Sequence, residues 1–347
     1  MEFILPLIFS FLTTSILVIP TIVFAKRLKM VDDPKLRPHP AHIQKRTVPR
    51  AGGLPIFIGI VFAVLFFIPI EKQTLGIILG LLILLLIGLL DDKYQKLSPY
   101  LRLFGQFVAA AIVVLSGVGI RFITNPLGGI IHLDPSVANI LALLWIVWVM
   151  NMINWSKGVD GQMPGIVTVA CLILGLLAIK FHILGDLNQA TVGKLSFISA
   201  GSALGLLLFN WHPAKIFPGF SGSNILGFMI ATLAILSGAK LATAGLVLLI
   251  PATDFAYTFI RRILQGKSPV WGDRGHLHHK LLDVGFTHQQ ISLFYILGSV
   301  ILGTIALSLS SGGKLFASLL VTTIILGGIL WLNFFGGLSK QPAPDNG

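Results

Sequence analysis

The sequence predicts an all-α, polytopic integral membrane protein with about 10–11 membrane-spanning helices. Three observations predict it. Apolar residues fill 55% of the 347 positions and charged residues only 11%, against about a quarter in soluble domains, so this chain could not cover a surface facing water. The mean hydropathy of +0.89 points the same way. Apolar runs of membrane-crossing length recur from end to end, and the basic residues gather in the connections between them.

The runs fall at 3–25, 52–70, 75–90, 103–120, 137–154, 163–182, 191–210, 224–238, 241–260, 291–310 and 315–335, the segment at 224–238 being the shortest. The first lacks a basic leader and a small-residue cleavage site, so it reads as a retained span rather than a removed signal. Cys171 stands alone in an apolar run, which excludes a disulfide framework or a cysteine metal site. No repeat is long enough to suggest the inverted halves of a secondary transporter.

Orientation follows from the basic residues. With the N-terminus outside and the C-terminus cytoplasmic, the connections 26–51, 91–102, 155–162, 211–223 and 261–290 lie on the cytoplasmic side. They and the tail hold all 25 basic residues except Lys72, Arg121, Lys180, Lys194, Lys240 and Lys314. The net charge of +12 is therefore mostly one face, suited to anionic lipid headgroups. Nucleic acid is a poor partner, because the cations are divided among short connections.

The same connections collect the chemistry. Pro49-Arg-Ala-Gly-Gly53 leads into a span, so Arg50 could present a guanidinium and the glycines free N–H groups to an anion; a Gly pair permitting close packing is the plain alternative. Asp91 and Asp92 close an apolar helix, where they oppose its dipole, and a cation or a proton-transfer role is the natural compensation. In Asn151-Met-Ile-Asn-Trp-Ser-Lys-Gly-Val-Asp-Gly161, Asn151 and Asn154 share a helix face. Lys157 and Asp160 follow at once, beside glycines that permit a tight loop for a polar ligand. Around Asn210, the stretch Gly219-Phe-Ser-Gly-Ser223 precedes a span and could cradle a phosphate, with Ser221 exposing its hydroxyl. The last connection holds Asp273, Arg274, His276, His278 and His279; this could be a zinc site, an anion site or a solvated loop. The His-Leu-His-His spacing fits zinc poorly, whereas His beside Arg and Lys favours phosphate. Asp254 is an acid inside a span.

Taken in order, Val31-Asp-Asp-Pro34, Pro49-Arg-Ala-Gly-Gly53, Gly88-Leu-Leu-Asp-Asp92 with Arg102 and Gln106, Asn151-x-x-Asn154, Gly158-Val-Asp-Gly161, Phe209-Asn210, Pro213-Ala214, Gly222-Ser223, Pro251-x-x-Asp254 and Asp273-Arg-x-His-Leu-His-His279 resemble the polyprenyl-phosphate N-acetylhexosamine-1-phosphate transferases, a glycosyltransferase family 4 type. The resemblance implies one transmembrane transferase-like domain over 1–338, followed by a short flexible tail, 339–347. It implies a multi-pass cell-membrane (inner/plasma membrane) protein with its active face cytoplasmic. There it would pass an N-acetylhexosamine-1-phosphate from a UDP-N-acetylhexosamine to a polyprenyl phosphate carrier, initiating a cell-envelope glycan, and it is compatible with a homodimer. By position, Asp91, Asp92 and Asp160 are the implied catalytic residues and magnesium ligands, Asp91 and Asp92 handling the lipid phosphate. Asn154 and Asp160 would bind the nucleotide sugar, and His276, His278 and His279 its phosphate or sugar oxygens. With Arg50, Asn151, Lys157, Asn210, Ser221 and Arg274 these complete the candidate substrate site.

Two positions depart from the family pattern. Lys157 stands where an Asp precedes the first Gly, and Phe220 takes the place of the metal-binding Asp in the Gly-Asp-Ser-Gly-Ser type loop. A phenyl ring cannot coordinate a hard cation. Mg2+ dependence is therefore expected to be reduced or absent. Three readings follow: turnover with a thinner metal site, turnover with Lys157 supplying charge, or a lapsed enzyme that binds either substrate without transfer. A transporter explains the spans but not the loops.

Overall fold

A computed structural model describes residues 1–33, 46–125, 128–238, 240–268 and 275–335. The described elements in chain order are α1 (Ile4–Arg27), β1 (Val31–Asp32), β2 (Val48–Pro49), α2 (Gly53–Phe67), α3 (Lys72–Tyr94), α4 (Pro99–Leu115), β3 (Phe122–Thr124), β4 (Ile130–His132), α5 (Pro135–Trp155), α6 (Gln162–Ile183), α7 (Asn188–Asn210), α8 (Gly219–Leu236), α9 (Leu241–Val247), α10 (Leu249–Leu264), α11 (Leu277–Asp283), α12 (His288–Ser308) and α13 (Ser311–Phe335). Eight helices, α1, α3, α5, α6, α7, α8, α12 and α13, are long and apolar enough to cross a membrane.

Helix ends follow local chemistry. Ser98 and Asp134 each precede a proline, Pro99 and Pro135, and accept the N–H two residues on, starting α4 and α5. Thr287 and Gln290 form a reciprocal capping box at the start of α12.

Each predicted apolar run is helical, with four corrections. The run at 241–260 is broken into α9 and α10, bent by 84° around Leu248, so it is a broken span or a re-entrant segment. The runs at 52–70 and 103–120 contain α2 and α4, which are shorter than the runs, at 15 and 17 residues. The hairpin of β3 and β4 joins α4 to α5 and was not expected. Finally, α8 begins at Gly219 rather than 224, so the predicted Gly/Ser cradle is the first turn of a helix.

α8 is the centre of the bundle, with 94% of its apolar window buried, whereas α13 has 11% and lies at the rim. Small and hydroxyl residues let the helices approach without a hydrophobic drive in lipid. Ser10 donates to the Ile198 carbonyl at 2.8 Å, and Thr14 and Ser202 share a hydrogen bond of 2.8 Å, tying α1 to α7. Large apolar side chains such as Leu12, Ile16, Phe66, Leu297, Ile301 and Leu319 face outward, as lipid contact requires.

The five predicted loops meet at one end of the bundle. Phe217 bonds to Pro49 and Gly52, Arg46 reaches Ala214, and Gln289 reaches His212, so the connections around 50, 215 and 288 form one layer. Residues 34–45 and 269–274 and the tail lie outside the described residues, and Arg274 with them.

Candidate functional site

Two carboxylates close α3, and each finds its own compensation. Arg50 leaves β2 with its N–H on the Met30 carbonyl, which aims its guanidinium at Asp92, 3.7 Å away. Asp92 then accepts the Phe220 N–H at 2.7 Å, the Ser221 N–H at 3.2 Å and the Ser221 hydroxyl at 2.6 Å. The N-terminus of α8 does hold an anion, and that anion is the protein's own Asp92. Gly219 permits the approach, with φ of 70° and no side chain to strike the Asp92 carboxylate. The Ser221 hydroxyl, a candidate ligand group, is thereby occupied. Asp91 is paired with Arg102 of α4 at 2.7 Å.

Beside them, the end of α5 carries amides. Asn151 exchanges hydrogen bonds with Gln106, which also donates to Asn224 of α8 at 2.5 Å. Asn154 accepts from the Lys157 ammonium at 2.7 Å and bonds the Ser223 hydroxyl at 2.8 Å. Lys157 also donates to the Gly219 carbonyl at 3.2 Å. The residue is half-buried, and its ammonium is surrounded by protein groups. Enclosure first, and the neighbouring Arg50 second, lower its pKa to about 7 against the pull of Asp92 and Asp91. The Phe220 ring has two cations near it, Arg102 at 5.4 Å and Lys157 at 5.9 Å from its centre.

Asp160 is held elsewhere. It accepts from His212 at 2.7 Å and the Ala214 N–H at 3.0 Å, and its ligand atoms lie within 4.8 Å of those of His212 and His288, a grouping able to hold a metal ion. Asn210 is occupied in folding this layer, accepting the Gly161 N–H and donating to the Ile216 carbonyl.

The last connection closes the site from the other side. Asp254 accepts the Leu277 N–H at 2.7 Å and pairs with His276 Nδ1 at 3.0 Å, so the acid inside α10 anchors α11. His276 and His278 lie parallel with ring centres 5.4 Å apart, and His279 tilts against His278 at 4.4 Å. His278 packs so directly on Gly158 that a Cβ there would sit 1.9 Å from its Nε2. Burial, then the neighbouring His279 and His276, push the His278 pKa well below its usual range, leaving a neutral ring.

Between α4, α5, α8 and α10 lies a cavity of about 420 Å³. Its lining is mostly apolar, with Leu103, Leu144, Trp148 and Phe259 among it, and its polar groups are Arg102, Gln106, Asn151 and Asn154. Sequence reasoning placed no weight on Asn224, His212 or His288. A polar residue in an apolar run was the available signal for Asn224.

These residues do not fit a family-type magnesium site. Both oxygens of Asp92 are engaged, Asp91 is paired with a guanidinium, Phe220 offers no lone pair, and an ammonium stands next to it. The ligand atoms of Asp91, Asp92 and Asp160 do not converge; Asp160 groups with two histidines instead.

Apolar helices of crossing length, packed around a mostly apolar cavity that Arg102 and two asparagines also line, define a multi-pass membrane protein. Comparison with known proteins narrows this. The family described as glycosyl transferase family 4 matches residues 74–238. A probable undecaprenyl-phosphate N-acetylglucosaminyl 1-phosphate transferase of Bacillus subtilis is 33% identical over 297 residues, 82% of this chain and 80% of that protein. A decaprenyl-phosphate N-acetylglucosaminephosphotransferase of Mycobacterium tuberculosis is 30% identical over 348 residues, 90% of this chain and 84% of its own length. A phospho-N-acetylmuramoyl-pentapeptide-transferase of Moorella thermoacetica is 31% identical over 250 residues, 68% and 76%. The chain belongs to this family of membrane phospho-sugar transferases.

Proposed function

We propose that the protein transfers an N-acetylhexosamine-1-phosphate from a UDP-sugar to a polyprenyl phosphate, on the cytoplasmic face of the cell membrane. The observation that carries this is the cavity, which pairs a mostly apolar lining with the Arg102 guanidinium and so matches a lipid phosphate. The names of the relatives supply the reaction class.

In the step itself an oxygen of the lipid phosphate attacks the β-phosphorus of the UDP-sugar. The new P–O bond joins lipid phosphate to sugar phosphate, the bond from the β-phosphorus to the bridging oxygen breaks, and UMP leaves with that oxygen. Such a transfer is driven by positioning and by neutralising charge. Arg102 lines the cavity, where it would meet the lipid phosphate, and Asp91 fixes its guanidinium at 2.7 Å. Arg50, beside Asp92, and Lys157, near Phe220, would meet the diphosphate. Asn151 and Asn154 offer amides to phosphate or sugar oxygens. His278 and His279 close the site from α11.

A transport reading loses its two supports: Lys194 pairs with Glu2 at 2.9 Å, and Asp254 anchors α11. The test is purified protein with undecaprenyl phosphate and radiolabelled UDP-N-acetylglucosamine. Label passing into the lipid extract, with UMP released, is the expected result. No labelled lipid with any UDP-N-acetylhexosamine, with or without divalent metal, would refute the proposal.

A further inference from the structure

We propose that the Lys157 ammonium is the built-in counter-charge of this phosphate site, so that the protein binds a nucleotide-sugar diphosphate and transfers from it without a divalent metal ion. The inference rests on the transferase reading above and sharpens it.

The first argument is position. Lys157 is gripped by two oxygens from two different elements, Asn154 Oδ1 on α5 and the Gly219 carbonyl at the start of α8. α8 is the buried centre of the bundle, and two grips from separate helices hold the charge at a fixed place. An ammonium has three donors. Two are used here, and the third is left for an anion among the described residues.

The second argument is charge. Among the described residues, Arg50, Arg102 and Lys157 stand around Asp91 and Asp92, three cations against two anions. Each carboxylate already has an arginine, so the ammonium is the surplus charge. Enclosing an uncompensated cation is unfavourable, and a phosphate oxygen would offset it. A divalent metal in the same place would add to the surplus.

The third argument is that the two departures answer each other. Lys157 and Phe220 are neighbours, with the ammonium 5.9 Å from the ring centre. Had the acid stayed at 220, it would pair with Lys157 and cancel the charge. Had the acid stayed at 157 with Phe220 alone changed, the metal would be lost with nothing in its place. Together the changes raise the local formal charge by about three, with the acid replaced by a ring that has two cations near it. The remaining machinery at this end, Asp91, Asp92, Arg50, Arg102 and the three histidines, is intact.

The test is binding of UDP-N-acetylglucosamine to the purified full chain, by calorimetry, in excess EDTA and in excess magnesium chloride. The same samples are assayed for transfer to undecaprenyl phosphate. The expected affinity is the same in both within about twofold, Lys157→Gln weakens it about tenfold in EDTA, and Lys157→Asp combined with Phe220→Asp binds only with magnesium. Wild-type binding that needs magnesium, Lys157→Gln binding like wild type in EDTA, or no binding under either condition overturns the inference. The wild-type arm uses no variant, so a misfolded substitution cannot shelter the idea. Binding in EDTA with no transfer in either sample would uphold Lys157 as the counter-charge for binding, overturn the metal-free transfer and count against the transferase reading. Transfer only in magnesium would uphold the transferase and sink Lys157.

Discussion

The Asp92 carboxylate accepts the Phe220 backbone N–H at 2.7 Å, joining the last turn of α3 to the first turn of α8 across 128 residues of sequence. The acid that closes one helix thus caps another, and the side chain of the capped residue is the phenyl ring that fills an acid's place. One contact explains how α8 can start with Gly-Phe-Ser-Gly and no capping side chain of its own.

Removing this cap should destabilise the bundle. Asp92→Ala leaves two buried N–H groups, the Ser221 hydroxyl and the Arg50 guanidinium without their acceptor, and a loss of about 3 kcal/mol is expected. Thermal unfolding in detergent measures it. An unfolding midpoint equal to wild type would show that the cap contributes nothing.

Lys157→Met should separate stability from function. The pKa of Lys157 is lowered to about 7 from the ordinary 10.5, so between these values the unfolded chain binds more protons and folded stability rises with pH. Below about 7 the enclosed ammonium is at its most unfavourable. Lys157→Met is therefore expected to be as stable as wild type or more so, by about 1 kcal/mol near pH 6, while losing transfer at least about a hundredfold. A variant that loses both together would mark Lys157 as structural.

Binding should also depend on pH. The charged groups facing Lys157 are Arg50, Asp91 and Asp92 of α3, and Arg102 of α4, and none of these is an imidazole or another group that ordinarily titrates near neutrality. His278, packed on the adjacent Gly158, is already neutral. The UDP-N-acetylglucosamine diphosphate is esterified at both ends and does not titrate near pH 7. Affinity should hold below about pH 7 and fall as the ammonium deprotonates, by up to about tenfold per unit. Calorimetry from pH 6 to about 9 checks this, and a flat profile in wild type would contradict it.

Gly158→Ala should damage the junction between the loops after α5 and before α11. The added methyl would meet the His278 ring at 1.9 Å, so one loop must shift. Transfer is expected to fall about tenfold or more, and His278→Ala in the same chain should give back part of the lost stability. Strict additivity of the two changes would mean that they do not touch.

The apolar runs were legible because a lipid-facing helix needs little more than length and hydropathy, and all eleven are helical. The break at Leu248 was not legible, since Gly245 and Pro251 flank it but an apolar run tolerates both in a continuous span, and neither fixes a bend of 84°. In the site, Asp91, Asp92, Asn154 and the histidines stood out as polar groups at span ends. Their partners did not: Arg50 and Asp92, or Lys157 and Gly219, are brought together by packing between distant segments, which periodicity along one helix cannot report.

The sequence by itself determined that this is a multi-pass membrane protein, which connections carry the chemistry, and that Lys157 and Phe220 stand where acids are expected. Only the tertiary structure decided what those substitutions mean. It spends Asp92 on the N-terminus of α8, turns Asp160 toward His212, and fixes the Lys157 ammonium between Asn154 and Gly219. The physical reason is that a charge acquires its role from the groups within a few ångströms of it, and here those groups come from other helices.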